Sequence, residues 1–296
     1  MLTTADGADL HLVDTGPADA PVTVLFLHGW TLDGATWHRQ LDALPALAPG
    51  TRLVSYDARG HGDSGLGGRR SATLERLGDD LAEVVRHVNP AGRLILVGHS
   101  LGGMTIMEYA HLHPGEFGQR VHGLVLVSTT AEGHAHTAYG LPAPLTTLVR
   151  MAETTSARVL AFGGHWRPHR VLQPALRPGL RWLLFGQVCD PADLRRTAAT
   201  VARAPLCSIG GLRASVGAQR RLDTLAAIAP IPTTILVGDR DRLTPPPCAR
   251  SIAAAVPGAD LHVLPGAGHM LMFERPDEVT RAIAGAVAGV ATRPAA

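Results

Sequence analysis

The segment Gly98-His99-Ser100-Leu101-Gly102 carries the strongest chemical signal in the chain. It follows the apolar run Leu94–Val97 and opens a helical pattern with Gly103-Met104-Thr105. A serine in G-x-S-x-G between a strand and a helix sits on a sharp, strained turn that lifts its hydroxyl above a sheet. Small residues are needed two before and two after it, because bulk would clash there. The helix behind adds its positive N-terminus and the Leu101 amide. A chance match in a glycine-rich chain is the bland alternative, and the strand before and helix after argue against it.

A serine hydroxyl needs a base to take its proton, and the base needs a carboxylate to orient it. Fifteen histidines compete for the role. His269 is favoured because it lies in Gly266-Ala267-Gly268-His269-Met270, directly after the run Leu261–Leu264. A Gly-rich loop at a strand end can swing such a residue over the sheet edge. The acid should come from the preceding strand end, where Gly238-Asp239-Arg240-Asp241 follows Thr234–Val237. Asp241 is favoured, while Asp239 caps the turn or pairs with an arginine and remains the alternative. A tetrahedral intermediate also needs two converging amides, each costing about 3 kcal/mol to lose. Leu101 supplies one, and Trp30 of His28-Gly29-Trp30, at the end of Val22–Leu27, supplies the other. His28 is read as a structural residue that fixes this loop.

These groups require a sheet. Val22–Leu27, Leu53–Tyr56, Leu94–Val97, Leu124–Ser128, Thr234–Val237 and Leu261–Leu264 are short, nearly continuous apolar runs. Such runs suit strands buried on both faces of a parallel sheet. Between them, Leu74–Val88 places Leu77, Leu81, Val84, Val85 and Val88 at helical spacing, Leu101–His111 follows the third run, and Pro276–Val290 closes the chain. Strand-helix alternation predicts an α/β, doubly wound sheet. From His134 to about Arg221 the alternation fails. Helical patterns at Pro144–Leu160, Leu180–Val188 and Pro191–Ala204, with many prolines and no strand, predict a helical insertion.

Composition narrows the chemistry further. All 27 basic residues are arginine, so no Schiff-base lysine, pyridoxal phosphate anchor or phosphate-loop lysine exists. Codon bias toward arginine explains the absence most simply. With 46% apolar and 18% charged residues the chain reads as a globular protein with a large core. The formal net charge of +2 hides a contrast. Residues 134–222 hold twelve arginines against three acids, a formal +9, and the remainder carries −7. The arginines either hold the insertion to the core or attract an anionic group. Nothing points to nucleic acid, and no apolar stretch approaches the roughly 20 residues of a bilayer span. Three unpaired-looking cysteines and a start without signal-peptide character suit a soluble cytoplasmic protein.

The chain resembles the α/β-hydrolase superfamily, in the branch of capped esterases, enol-lactonases and cofactor-free haloperoxidases. The matching stretches are HGW at 28–30, YDARGHGDSG at 56–65, GHSLGG at 98–103, GDRDRLTP at 238–245 and GAGHMLMFERPDEV at 266–279. The resemblance implies a mostly parallel eight-stranded sheet, with core residues 1–133 and 223–296 and a helical cap at 134–222. Dehalogenases and most epoxide hydrolases of this fold carry Asp at the elbow, where Ser100 stands. Its hydroxynitrile lyases use a lysine, and its carbon–carbon hydrolases typically have Trp where Met270 follows His269. Asp57, Arg59 and His61 fall in the family's structural turn.

The expectation is therefore a cofactor-free serine hydrolase of a small or medium-sized carboxylic ester, using Ser100, His269 and Asp241. A thioesterase, lactonase or acyl-transferring enzyme would use the same triad, and a small-molecule receptor could retain it. His99, Phe162, Trp166, Trp182 and Met270 are candidate pocket residues, with His165 and His169 near the mouth. The pairs His134/His136 and His111/His113 have alternate spacing and no thiol nearby, so no metal is expected.

Overall fold

The computed structural model describes residues 1–68, 71–89, 92–162, 166, 173–228 and 231–292. Its strands are β1 (Leu2–Thr3), β2 (Asp9–Leu10), β3 (Leu12–Thr15), β4 (Val22–Leu27), β5 (Arg52–Tyr56), β6 (Arg93–His99), β7 (Val121–Val127), β8 (Thr233–Gly238) and β9 (Asp260–Leu264). The first four helices are α1 (His38–Leu47), α2 (Leu74–Val88), α3 (Leu101–Leu112) and α4 (Pro114–Arg120). Between β7 and β8 run α5 (Ala143–Leu160), α6 (Gln173–Leu184), α7 (Pro191–Arg203), α8 (Leu206–Ala218) and α9 (Leu222–Ala227). The remaining helices are α10 (Pro246–Ala255), α11 (Leu271–Glu274) and α12 (Pro276–Ala291).

Seven strands form one sheet in the order β3-β5-β4-β6-β7-β8-β9, parallel throughout except for antiparallel β3. The apolar runs account for the six parallel strands. β4, for example, is buried at every position because helices cover both faces of the sheet. On one side α2, α3 and α10 pack around Leu81, Met107 and Ile252. On the other, α1 and α12 pack around Trp37, Leu44 and Ile283.

The main sheet has seven strands among the described residues, where eight were expected. β1 pairs with β2 in a separate ribbon. Only His11 separates that ribbon from β3, and its N–H goes to Ser64 Oγ at 2.8 Å instead of continuing a ladder. These three strands are short, and β3 is largely exposed, so they leave no apolar run to read in the sequence.

Register brings the chemistry together. Leu27 lies opposite Tyr56 on one side and Gly98 on the other, so the loops after β4, β5 and β6 leave from one edge. Gly238 pairs with Leu264, which sets the loops after β8 and β9 side by side. The predicted helix at 180–188 stops at Leu184. Beyond it the chain lies against the loop after β9, with Gln187 N donating to Gly266 O at 2.7 Å and His269 N donating to Leu184 O at 2.8 Å. No helix among the described residues is long and apolar enough to cross a membrane.

Candidate active site

Ser100 stands between the end of β6 and the start of α3 with φ 51° and ψ −113°. This left-handed φ is strained for a residue with a side chain. Close packing holds it. A Cβ on Gly98 would lie 2.6 Å from Gly103 N, and one on Gly103 would lie 2.6 Å from Thr129 Oγ1. The Ser100 carbonyl is anchored by Thr129 Oγ1 at 2.7 Å, and its N–H donates to Val127 O at 2.9 Å. No hydrogen bond within the described residues takes Ser100 Oγ, so the hydroxyl is uncommitted.

His269 and Asp241 form a buried pair, with Nδ1 2.8 Å from Asp241 Oδ2. Asp241 Oδ1 accepts from the Leu243 and Thr244 amides at 2.9 Å each, and Oδ2 accepts from Thr244 Oγ1 at 2.8 Å. The carboxylate is locked in place and fixes a ring proton on Nδ1 of His269, leaving Nε2 as the acceptor. Asp239 instead accepts from Gly266 N at 2.7 Å and ties the β8 loop to the β9 loop. The structure thus sets Asp241, and not Asp239, beside the histidine.

His99 links the serine to this pair. Its ring centroid lies 4.8 Å from that of His269, and its Nε2 is 3.1 Å from His269 O. Burial holds the His99 pKa well below the ordinary value, with His269 adding to the shift, so the ring is neutral and donates from Nε2. Gly29 is required beneath it, since a Cβ there would sit 2.6 Å from His99 Nδ1. His99 therefore braces the histidine loop from below and does not line an open pocket.

The loop after β4 presents an amide in the same way. Ala58 N donates to His28 Nε2 at 2.9 Å, which places the His28 proton on Nδ1, 2.7 Å from Gly29 O. Leu32 N also donates to Gly29 O, at 3.1 Å, and Thr31 takes a left-handed φ of 63°. The Trp30 and Leu101 amides have no acceptor among the described residues. Two free N–H groups at one sheet edge are what a developing oxyanion needs.

A third acidic residue organises the histidine loop. Glu274 accepts from Gly186 N at 2.7 Å, Gly268 N at 3.0 Å and Met270 N at 3.2 Å. Burial pushes its carboxyl up from the usual range, and these three amides pull it back. Sequence reasoning missed it. Its position in Phe273-Glu274-Arg275-Pro276 gives no hint that it caps amides on both sides of His269 and in the insertion.

The other expected residues scatter. Met270 is buried in the core with Leu184 and Phe185, so it packs instead of facing a pocket. Phe162 and Trp166 are 73% and 69% exposed. Trp182 is partly exposed under the Arg242 guanidinium, 5.0 Å from its ring centroid. His165 and His169 lie outside the described residues. Asp57 accepts from Gly34 N and Asp63 N, and Arg59 pairs with Asp80 and Asp6, a scaffold as expected. His134 contacts Arg213 while His136 contacts Glu132, so that pair diverges. Among the described residues His11, Asp57 and Asp63 alone cluster with metal-ligand geometry, and their carboxylates already serve the two amides and Arg203.

Comparison with known proteins identifies the family. A family model described as the alpha/beta hydrolase family matches residues 24–282. A bifunctional esterase/perhydrolase of Acinetobacter calcoaceticus is 38% identical over 115 residues, 39% of this chain and 40% of that protein. The chain therefore aligns to well under two thirds of that relative. The magnesium-chelatase 30 kDa subunit of Rhodobacter capsulatus is 29% identical over 266 residues, covering 89% of this chain and 85% of that one. Among solved structures, a thermophilic esterase from Thermogutta terrifontis superposes with a TM-score of 0.74 at 26% identity, covering 98% of this chain and 97% of that one.

Proposed function

Since the chain belongs to the α/β-hydrolase family, we propose that it is a serine hydrolase cleaving a carboxylic ester. The observation that carries this reading is the buried His269–Asp241 pair at 2.8 Å, braced by the neighbour of a strained, uncommitted serine. In this mechanism His269 Nε2 takes the Ser100 proton as Oγ attacks the ester carbonyl. The Trp30 and Leu101 amides stabilise the oxyanion, and the imidazolium returns its proton to the departing alcohol. Water then repeats the sequence on the acyl-enzyme and releases the acid. Asp241 keeps the histidine tautomer throughout.

Residues 134–222 act as a cap in this reading. Their contact with the histidine loop through Leu184 and Gln187 supports it, as do esterases among the relatives and structural neighbours. The test is turnover of p-nitrophenyl esters of increasing acyl length, with Ser100→Ala alongside. The variant should lose at least about a thousandfold in kcat/KM. Ester turnover undiminished in Ser100→Ala would overturn the proposal.

A further inference from the structure

A cavity of about 770 Å³ lies between α5, α8 and the residues Leu66, Ala72 and Thr73. Its lining includes none of Ser100, His269, Asp241, Trp30 or Leu101. Its size falls within the roughly 300–1,000 Å³ typical of small-molecule sites. The sequence creates the space directly. α8 turns Gly211, Ala214 and Ala218 to it, and Ala157 of α5 and Ala161 just beyond that helix face them. Gly210 lets the two helices close on one side, since a Cβ there would run into the backbone of Ala157 and Ala161. The exposed Phe162 ring stands in the wall.

The polar groups of this cavity are few and unequal. Arg213 is neutralised by Glu153 and also contacts Tyr139 Oη and His134. His134 is pushed down to about 4, first by burial and then by Arg213, so it is uncharged at neutral pH. Thr73 Oγ1 caps α2 by accepting from Arg76 N, and Thr154 Oγ1 donates to Arg150 O. Arg150 is different. Its Nη2 donates to the carbonyls of His134 and Thr137, and neither hydrogen bond neutralises its charge. No carboxylate among the described residues lies within ion-pair distance, and its Nη1 has no partner there. Among the described lining residues Arg150 is thus the cation without a counter-ion, in a chamber walled mostly by apolar side chains.

We infer that this cavity is a second binding site, for a medium-chain carboxylate anion, with the carboxylate on Arg150 and the chain along the small-residue face of α8. One negative charge matches that guanidinium, through a charge-assisted hydrogen bond from Nη1, since both N–H groups of Nη2 are committed to carbonyls. A dianion such as a phosphate monoester would leave one charge uncompensated against apolar walls, which is costly. A neutral chain would leave Arg150 unpaired.

Isothermal titration of the full chain with decanoate tests this, using Ser100→Ala protein so that the readout is independent of the proposed hydrolysis. Decanoate should bind at one site per chain, and butanoate at least tenfold more weakly. Decan-1-ol should also bind at least tenfold more weakly than decanoate. Arg150→Gln should weaken decanoate at least tenfold, Arg150→Lys should retain most of the affinity, and Ala214→Phe should abolish binding by filling the chamber. Thermal melts of each variant identify any that fail to fold. In the wild type, saturating decanoate should leave fluorophosphonate labelling of Ser100 unchanged. The inference is overturned by absent decanoate binding, by equal affinity for decan-1-ol, or by folded Ala214→Phe protein that binds normally.

Discussion

Asp241 receives four hydrogen bonds, from two amides, one hydroxyl and the His269 ring. Asp239, two residues earlier, accepts from the amide of Gly266 in the loop after β9. The two aspartates therefore separate by experiment. Asp241→Asn leaves the packing intact but presents an amide to Nδ1, and kcat should fall by about 10³–10⁴ with KM little changed. Asp239→Asn should cost less than about tenfold, because it alters a loop contact and not the tautomer. Steady-state kinetics on one ester decides between them. The residue types of the proposed triad are legible in the sequence because each sits in a glycine-bounded motif at a strand end. Two aspartates in one loop motif are not separated by spacing alone; the hydrogen bonds set Asp241 beside His269. A second residue prediction concerns His61, which is buried with Nε2 unpartnered and donates no bond to the site. Burial pushes its pKa from 6.5 down to about 3, and His28 adds to the shift. Below pH 6.5 the unfolded chain takes a proton there that the folded chain refuses. The stability associated with His61 is therefore full above pH 6.5 and declines as pH falls toward 3. The slope is about 1.4 kcal/mol per pH unit. Urea unfolding at pH 6 and pH 5 should show that extra loss in wild type and not in His61→Gln. Parallel pH dependences would contradict it.

At the scale of elements, the site is held by strand ends and by loops that grip one another. The glycines of the elbow are set by contacts with Thr129 and α3, a constraint that the motif spacing already expressed. The histidine loop is different. Its geometry depends on Glu274 reaching Gly186, 88 residues away in sequence, and on Leu184 accepting from His269 N. No periodicity encodes such a clasp, and the helix predicted to run on to Val188 concealed it. Glu274→Ala removes an acceptor from three amides, and stability should fall by about 3 kcal/mol. It should also lower kcat more than it raises KM, because the loop that carries His269 loses its fixed position. An effect on unfolding alone, with kcat unchanged, would confine Glu274 to a structural role. The strands followed a similar division. Doubly buried strands announced themselves by continuous apolar runs, while the exposed edge strand β3 and the β1–β2 ribbon did not.

Across the whole molecule, the net charge of +2 is the residue of a basic insertion set on an acidic core. Much of that contrast is spent internally. Arg221 holds buried Glu108 of α3 through two 2.9 Å hydrogen bonds, Arg203 reaches Asp63, and Arg39 of the core answers Asp193 of α7. Arg181 serves the carbonyls of Phe185, Gly186 and Gln187. Composition revealed the asymmetry but could not say which arginines were consumed, because carbonyl acceptors leave no trace in a charge count. Arg221→Met strands the Glu108 carboxylate on the helix that Ser100 opens, and should cost about 3 kcal/mol or more. Adding Glu108→Gln should recover much of that loss in a thermal melt, and no recovery would argue against the latch. In the proposed mechanism this molecule works through a covalent bond at Ser100. Intact-mass analysis after incubation with a fluorophosphonate, followed by peptide mapping, tests it most directly. The predicted result is one adduct per chain on Ser100, lost in Ser100→Ala and formed far more slowly in His269→Ala. An adduct elsewhere, or an unlabelled protein that still turns over esters, would contradict it.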